Sequence, residues 1–269
     1  MKKTFLAALL IVFLIVAFWF IAVPERLIIS LLTDSLPGEG LSLGTEGFRK
    51  GPFYNFSIDR VSLMKKAGSA GNADPSDATL LVLDGVSARI DPLSILMLKP
   101  ALDFACGLQG GRIEGEVSLL AGGPIRMNGR NIPVGGLSFL ESFGIHGEGT
   151  LSGELQLKNG RGEAKVNVEN VRLQNSSLGD FFLPLGLFHT IQGLITIQDK
   201  TIILQSFSFT GEGVHARARG ELTGRDLKVN LEVTADSSFP SEPALHAMLA
   251  RYAISPGYYL IPVKTRLPQ

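Results

Sequence analysis

Four histidines, His146, His189, His215 and His246, are the side chains of this chain best suited to hold a metal or move a proton near neutral pH. None has a partner at metal-ligand spacing. His215 falls on the polar side of an alternating segment beside Arg217 and Arg219, the pattern of a solvated strand face. Glu114, Glu116, Glu154 and Glu221 are the candidates for an acid–base pair of carboxylates. The stretches "GEGTLSG" and "GEGVHARARG" resemble phosphate-cradling loops, yet neither fits G-x-G-x-x-G or precedes a helical pattern. The single cysteine, Cys106, can form neither an intramolecular disulfide nor a zinc cluster, and its context "LDFACGLQGG" reads as buried packing. These residues make no catalytic constellation, metal site or cofactor site. The chain is not expected to be an enzyme, and no cofactor is expected.

The segments that carry these residues explain why. In "GTLSGELQLKNGRGEAKVNVENVRLQ", residues 149–174, apolar and polar positions alternate on both sides of Asn159-Gly160. A two-residue type I′ turn there pairs Leu155 with Ala164, Gly153 with Val166 and Leu151 with Val168 on one face. The other face pairs Glu154 with Lys165 and Ser152 with Asn167. A turn at Gly224-Arg225 likewise pairs Leu222 with Leu227, Gly220 with Val229, Ala218 with Leu231 and Ala216 with Val233. Its opposite face sets Glu221 against Lys228 and Arg217 against Glu232. Around Asp199-Lys200 the pairs are Ile197–Ile202 and Ile195–Leu204. A slip of one residue would break both faces of each hairpin at once. Glu154 and Glu221 therefore face lysines on an outer surface, and three consecutive hairpins form an antiparallel meander.

The 31 glycines, against about 19 at average usage, agree with a turn-rich β chain. The expected fold is mainly β: a strongly curved antiparallel sheet of hairpins with a few short helices. Small inward residues such as Gly153, Ala164 and Gly220 would let the sheet coil and leave room on its concave side. "GRIEGEVSL", "GTLSGELQL" and "ARARGELTG" are a recurring strand type at irregular spacing, not a solenoid period. Short helices or turns are expected at 92–100, 134–145 and 241–253, an exposed loop at 66–77, and an apolar loop or broken helix around Pro184. Pro262 marks the segment from Gly257 onward as an edge strand. In "GPFYNFSIDRVSLMKK" the apolar alternation changes phase between Ile58 and Val61.

Twenty-five Lys and Arg balance 25 Asp and Glu, so no basic face is available for a phosphate backbone, and nucleic acid is not an expected partner. After Lys2 and Lys3, Phe5 to Val23 is a run of nineteen residues without charge, close to the length of a membrane span. Its end, Phe18-Trp19-Phe20-Ile21, suits an interfacial aromatic anchor better than a signal-peptidase site. The expectation is an uncleaved single-pass anchor (1–24), a juxtamembrane helix (25–38) and a β-rich domain (39–269). The two lysines keep the N-terminus cytoplasmic and put the remainder in the periplasm of a bacterial inner-membrane protein.

The single anchor, "PLSILMLKPALDFACGLQGGRIEGEVSL", the repeated G-x-apolar-x-G-E-apolar strands and "IQGLITIQDKTIILQSFSFTGEGVHARARGEL" together resemble the type II secretion system protein N family (GspN). More distantly they resemble the AsmA-like periplasmic proteins. The first resemblance implies an accessory component that contacts other type II secretion components, the inner-membrane platform or the secretin. The second implies a sheet whose apolar concave face holds phospholipid. Neither supplies functional residues to carry over. Candidate lipid or partner contacts are Leu151, Leu155, Val166, Val168, Val229 and Leu231 on the hairpins, with Phe181, Phe182, Leu183 and Leu185 in the apolar stretch after them.

Overall fold

Alternation and turn chemistry produce strands through almost the whole of the computed structural model. It describes residues 41–51, 54–65, 78–91, 94, 97–120, 122–137, 140, 145–174, 176–178, 181–183, 185–199, 201–237, 239 and 249–266, with backbone alone at 41, 65, 78, 176–178 and 181–183. Fifteen strands belong to an antiparallel sheet that does not close on itself, and two more pair apart from it. The chain divides into two compact units, Met1–Gly123 and Pro124–Gln269. The segments read as anchor, juxtamembrane helix and 66–77 loop lie outside the described residues. No helix among the described residues is long and apolar enough to cross a membrane.

The first unit contains β1 (Leu41–Glu46), β2 (Arg49–Lys50), β3 (Asn55–Lys65), β4 (Ala78–Ile90), β5 (Ala101–Leu108) and β6 (Gly111–Ser118). They lie in the order β1-β3-β4-β5-β6, with β2 on β3. Phe56, Ile58, Val61 and Ala88 form its core, and Phe48 stacks on Phe56 with ring centroids 5.8 Å apart. The expected change of phase between Ile58 and Val61 is present. It falls beside a bulge of β4 between Asp84 and Ser87, where Gly85 takes φ +57°.

The second unit contains β7 (Ile125–Pro133), β8 (Gly147–Lys158), β9 (Arg161–Leu173), β10 (Ser176–Leu178), β11 (Phe181–Leu183), β12 (Phe188–Gln198) and β13 (Thr201–Gly211). It continues with β14 (Val214–Thr223), β15 (Asp226–Ala235), β16 (Ala253–Ser255) and β17 (Tyr258–Arg266). The order is β7-β8-β9-β12-β13-β14-β15-β17-β16, and β10 and β11 pair with each other in a separate two-stranded sheet. All three hairpin registers are those expected from their turns. Asn159 and Gly160 have φ of 52° and 73°, as a type I′ turn requires. Pro262 pairs with Asn230 on one side of β17, while β16 meets only Tyr258 and Tyr259 on the other, so among the described residues no strand pairs with the proline on that side.

One detail of this unit differs from expectation. The stretch around Pro184, read as a loop or broken helix, contains the β10–β11 hairpin followed by a 3-10 turn at Leu185–Leu187. Phe181-Phe182-Leu183 is short but strand-prone, and three residues suffice to pair a two-stranded ribbon. Opposite Glu232, Arg217 donates from Nε to Ser206 Oγ at 3.1 Å. Glu221 does meet Lys228, with Nζ 3.7 Å from Oε1. Exposed pairs of this kind contribute about 0.2–1 kcal/mol, so register is fixed mainly by the apolar face. In the segments read as short helices, Val134–Gly136 is a 3-10 turn, and Ser94, Leu140, Leu249 and Ala250 are helical, with much of the rest outside the described residues.

Small inward residues sit where neighbouring backbones come close. A Cβ on Gly220 would collide with the Lys228 carbonyl oxygen and approach Val229 Cα to 2.7 Å, and one on Gly153 would lie 2.7 Å from the Lys165 oxygen. At Gly193 the space is filled by the ring of Phe207, directly across the strand pair. Gly220→Val should therefore overpack β14 against β15 and cost about 1–3 kcal/mol, read as a lower denaturation midpoint in urea. An unchanged midpoint would show that the two backbones separate freely.

Candidate functional site

In an antiparallel sheet, residues directly opposite one another point to the same side. Following the pairings across the second unit gives four rows on one face. Nearest the hairpin turns, the first row is Ile125, Leu157, Gly162, Ile197, Ile202, Leu222, Leu227 and Thr265. The second is Met127, Leu155, Ala164, Ile195, Leu204, Gly220, Val229 and Val263. The third is Gly129, Gly153, Val166, Gly193, Phe207, Ala218, Leu231 and Ile261. The fourth is Ile132, Leu151, Val168, Ile191, Phe209, Ala216, Val233 and Tyr259. Apart from Thr265, the Tyr259 hydroxyl and the weakly accepting Met127 thioether, no side chain in these rows can make a hydrogen bond. The other face carries Glu154, Lys165, Arg217, Glu221, Lys228 and Glu232.

Burial rises along this face away from the turns. None of the first row, one residue of the second, two of the third and four of the fourth are buried; the others are half-buried. The fourth-row end is covered from two sides. Val134, Leu140, Ile145 and Leu185 pack with Leu151, Val166, Val168 and Ile191, and Phe239 and Leu249 pack with Ala216, Val233, Ile261 and Val263. The first row belongs to none of the buried clusters. Fully burying a Leu or Ile contributes roughly 1.5–3 kcal/mol, so the first two rows keep apolar surface whose burial the fold leaves incomplete.

Six of the ten candidate contacts from the sequence fall on this face: Leu155 and Val229 in the second row, Val166 and Leu231 in the third, Leu151 and Val168 in the fourth. Leu185 is buried in the cover above Val168, not on the sheet. Phe181, Phe182 and Leu183 belong to β11, in the separate ribbon. Missing from the candidates were Ile125, Met127, Leu157, Ile197, Ile202, Leu222 and Leu227 as members of one continuous row system. Each hairpin exposes its own pairs to sequence reading, but no single turn sets the register of the β9–β12 junction, and a bulge in β13 shifts the register that the Glu212-Gly213 turn sets between β13 and β14.

The chemistry-bearing residues remain apart. His215 is exposed opposite Thr210 and Thr234, and exposed His189 places Nδ1 3.1 Å from Thr190 Oγ1. Arg112 Nε lies 2.6 Å from Glu114 Oε1. No group of three metal-binding side chains occurs among the described residues. Gly40-Leu41-Ser42-Leu43-Gly44 has the letter pattern of a serine nucleophile elbow, but Ser42 lies within β1 opposite Met64, not at a strand-to-helix turn. A cleft of about 670 Å³ in the first unit mixes Lys50, Arg49 and Arg89 with Asp103 and Glu114, and so presents no single charge. Burial lowers the pKa of Lys50 there. The same unit exposes Met97, Leu98, Leu119 and Leu120, at 69%, 83%, 49% and 49%, on two loops joined by a hydrogen bond of 2.8 Å from Leu119 N–H to the Pro100 carbonyl.

Comparison with family models, with curated proteins and with solved structures finds no match to this chain. The likeness to secretion and AsmA-like proteins rests on the sequence features alone.

Cys106 is buried opposite Ile113 in β5–β6, and burial pushes its thiol pKa up because the thiolate is the form that loses solvation. Both effects act against alkylation. Iodoacetamide at neutral pH should label the native protein at least about tenfold more slowly than the urea-unfolded chain, since only an exposed thiolate reacts. Equal rates would place the thiol at the surface.

Proposed function

We propose that this chain is a single-pass inner-membrane protein, anchored by Phe5–Val23, whose β-rich periplasmic part binds lipid acyl chains on the apolar face of its second unit. The observation that carries the reading is the set of four apolar rows crossing eight strands, with the two rows nearest the turns left without a full cover. An acyl chain has no hydrogen-bonding groups, and those two rows offer almost none. In this reading the apolar face is the concave side of a strongly curved sheet. Bulges in β7, β9 and β13 and the close backbone approaches at Gly153 and Gly220 support curvature, because both increase local twist and coiling.

The test is photocrosslinking in cells. Benzophenone side chains placed singly at Leu155, Val166 and Val229 should capture phospholipid, whereas one at Glu154 on the opposite face should not. Recovery of no lipid from the three inward positions would overturn the reading.

A second reading, an accessory part of the type II secretion machinery, is favoured by the exposed apolar tip of the first unit. Four large apolar side chains on two bonded loops are the kind of patch that protein partners cover. The platform or the secretin would be that partner. Met97→Ser with Leu98→Ser should leave folding intact, because both side chains are exposed, and should reduce co-isolation with those components at least about tenfold, the equivalent of roughly 1.4 kcal/mol of contact. Unchanged co-isolation would remove the tip from the interface.

A further inference from the structure

We infer that the tip of the first unit, formed by residues 92–100 and 119–124, dips into the surface of a phospholipid bilayer. This contact is independent of the apolar rows of the second unit. Four of the six large apolar side chains exposed among the described residues belong to the tip: Met97, Leu98, Leu119 and Leu120. The two loops contain no Asp or Glu, and their one charged residue, Lys99, is exposed.

Leu98 is held out against its own backbone preference. It takes φ +57°, and the Lys99 N–H that follows donates to the Ser94 carbonyl at 2.9 Å. A bond of this span around a left-handed residue is the form that closes a helix, and the left-handed place ordinarily goes to glycine, which has no Cβ. Here it holds a leucine that is 83% exposed. Within the fold that side chain adds strain and buries little, so its use lies outside the fold.

Hydrocarbon suits this tip better than a protein surface does. A lipid interior supplies no hydrogen-bond partners, so a loop that enters it must satisfy its own backbone. The N–H groups of Ser94 and Lys99 bond to the Asp91 and Ser94 carbonyls, and those of Leu119 and Gly123 to the Pro100 and Leu120 carbonyls. The N–H groups of Ala101 and Leu120 bond to the hydroxyls of Ser94 and Ser118. Protein interfaces draw their strongest contacts from Trp, Tyr and Arg, and neither loop contains any of them.

Charge sets the depth. Ala101 faces Ser118 at the base of the tip, and the first row of charged side chains on these strands, Arg89, Asp103 and Glu116, stands two residues further in. At about 3.3 Å per residue that is about 7 Å, within the roughly 5–10 Å to which apolar faces sink at a membrane interface. The one carboxylate nearer the tip is Asp91, half-buried at the foot of the first loop. Lys99 gives the tip a cation for lipid phosphate while its stem lies along apolar surface.

The experiment uses the full chain in bacterial cells, with a benzophenone side chain at Met97. Irradiation should attach phospholipid, identified by mass spectrometry. Leu119→Asp with Leu120→Asp should reduce that capture at least about tenfold, because carboxylates resist entry into hydrocarbon. Leu98→Gly should reduce it at least about threefold without lowering the urea midpoint, because glycine adopts the left-handed backbone freely. Lipid capture that the two variants leave unchanged would overturn the inference, as would capture of nothing. Capture of polypeptide would also overturn it and would give the tip to a protein partner, as the secretion reading requires. The acyl-binding reading stands or falls separately, on Leu155, Val166 and Val229.

Discussion

Cross-strand backbone pairing is the constraint on which the second unit depends. Each hydrogen-bonded neighbour fixes which side of the sheet a residue faces, and that assignment passes from strand to strand without loss. Seven successive pairings, from Ile125–Leu157 to Leu227–Thr265, keep a row on one side although the contributing residues are spread over 140 positions of sequence. A fault at any one of them would turn the remaining strands over and put lysines and glutamates among leucines. The apolar face is therefore a collective property of register, more than of any individual side chain.

Bulges preserve that property where the sequence by itself would break it. Ile202 and Leu204 are separated by an even step, but Leu204 and Phe207 by an odd one. The extra residue that β13 inserts between them restores Phe207 and Phe209 to the face of Leu204. The same device acts between Gly129 and Ile132 in β7, where Asn131 takes φ +53°, and between Val168 and Val171 in β9, where Asn170 takes φ +53°. Asparagine tolerates that left-handed conformation better than other side chains with a Cβ.

The hairpins were legible because Asn159-Gly160, Asp199-Lys200 and Gly224-Arg225 each set a local register that could be checked on two faces at once. The contacts Leu151, Leu155, Val166, Val168, Val229 and Leu231 followed from that. What joins one hairpin to the next was not legible. Residues 174–187 read as irregular, so the expected meander carried no register between β9 and β12, and nothing indicated that Phe181–Leu183 leave the main sheet. The degree of cover was hidden too, because it depends on Val134, Leu185, Phe239 and Leu249 folding back over the fourth row. Alternation tells which side a residue faces, and only tertiary packing tells what lies above it.

The meander has a consequence for how this unit is made. From β12 to β15 every strand pairs with the one synthesised just before it, and β9 with β12 skips only a small ribbon. Contacts that are short in sequence close quickly, since little loop entropy is lost before each is formed. The unit can thus be built by accretion, each strand as it emerges from the ribosome or a translocation pore docking on the edge left by its predecessor. At every stage a single fresh edge awaits its partner. The last strand laid down along most of that edge is the one bearing Pro262, which lacks the N–H that a further strand would need.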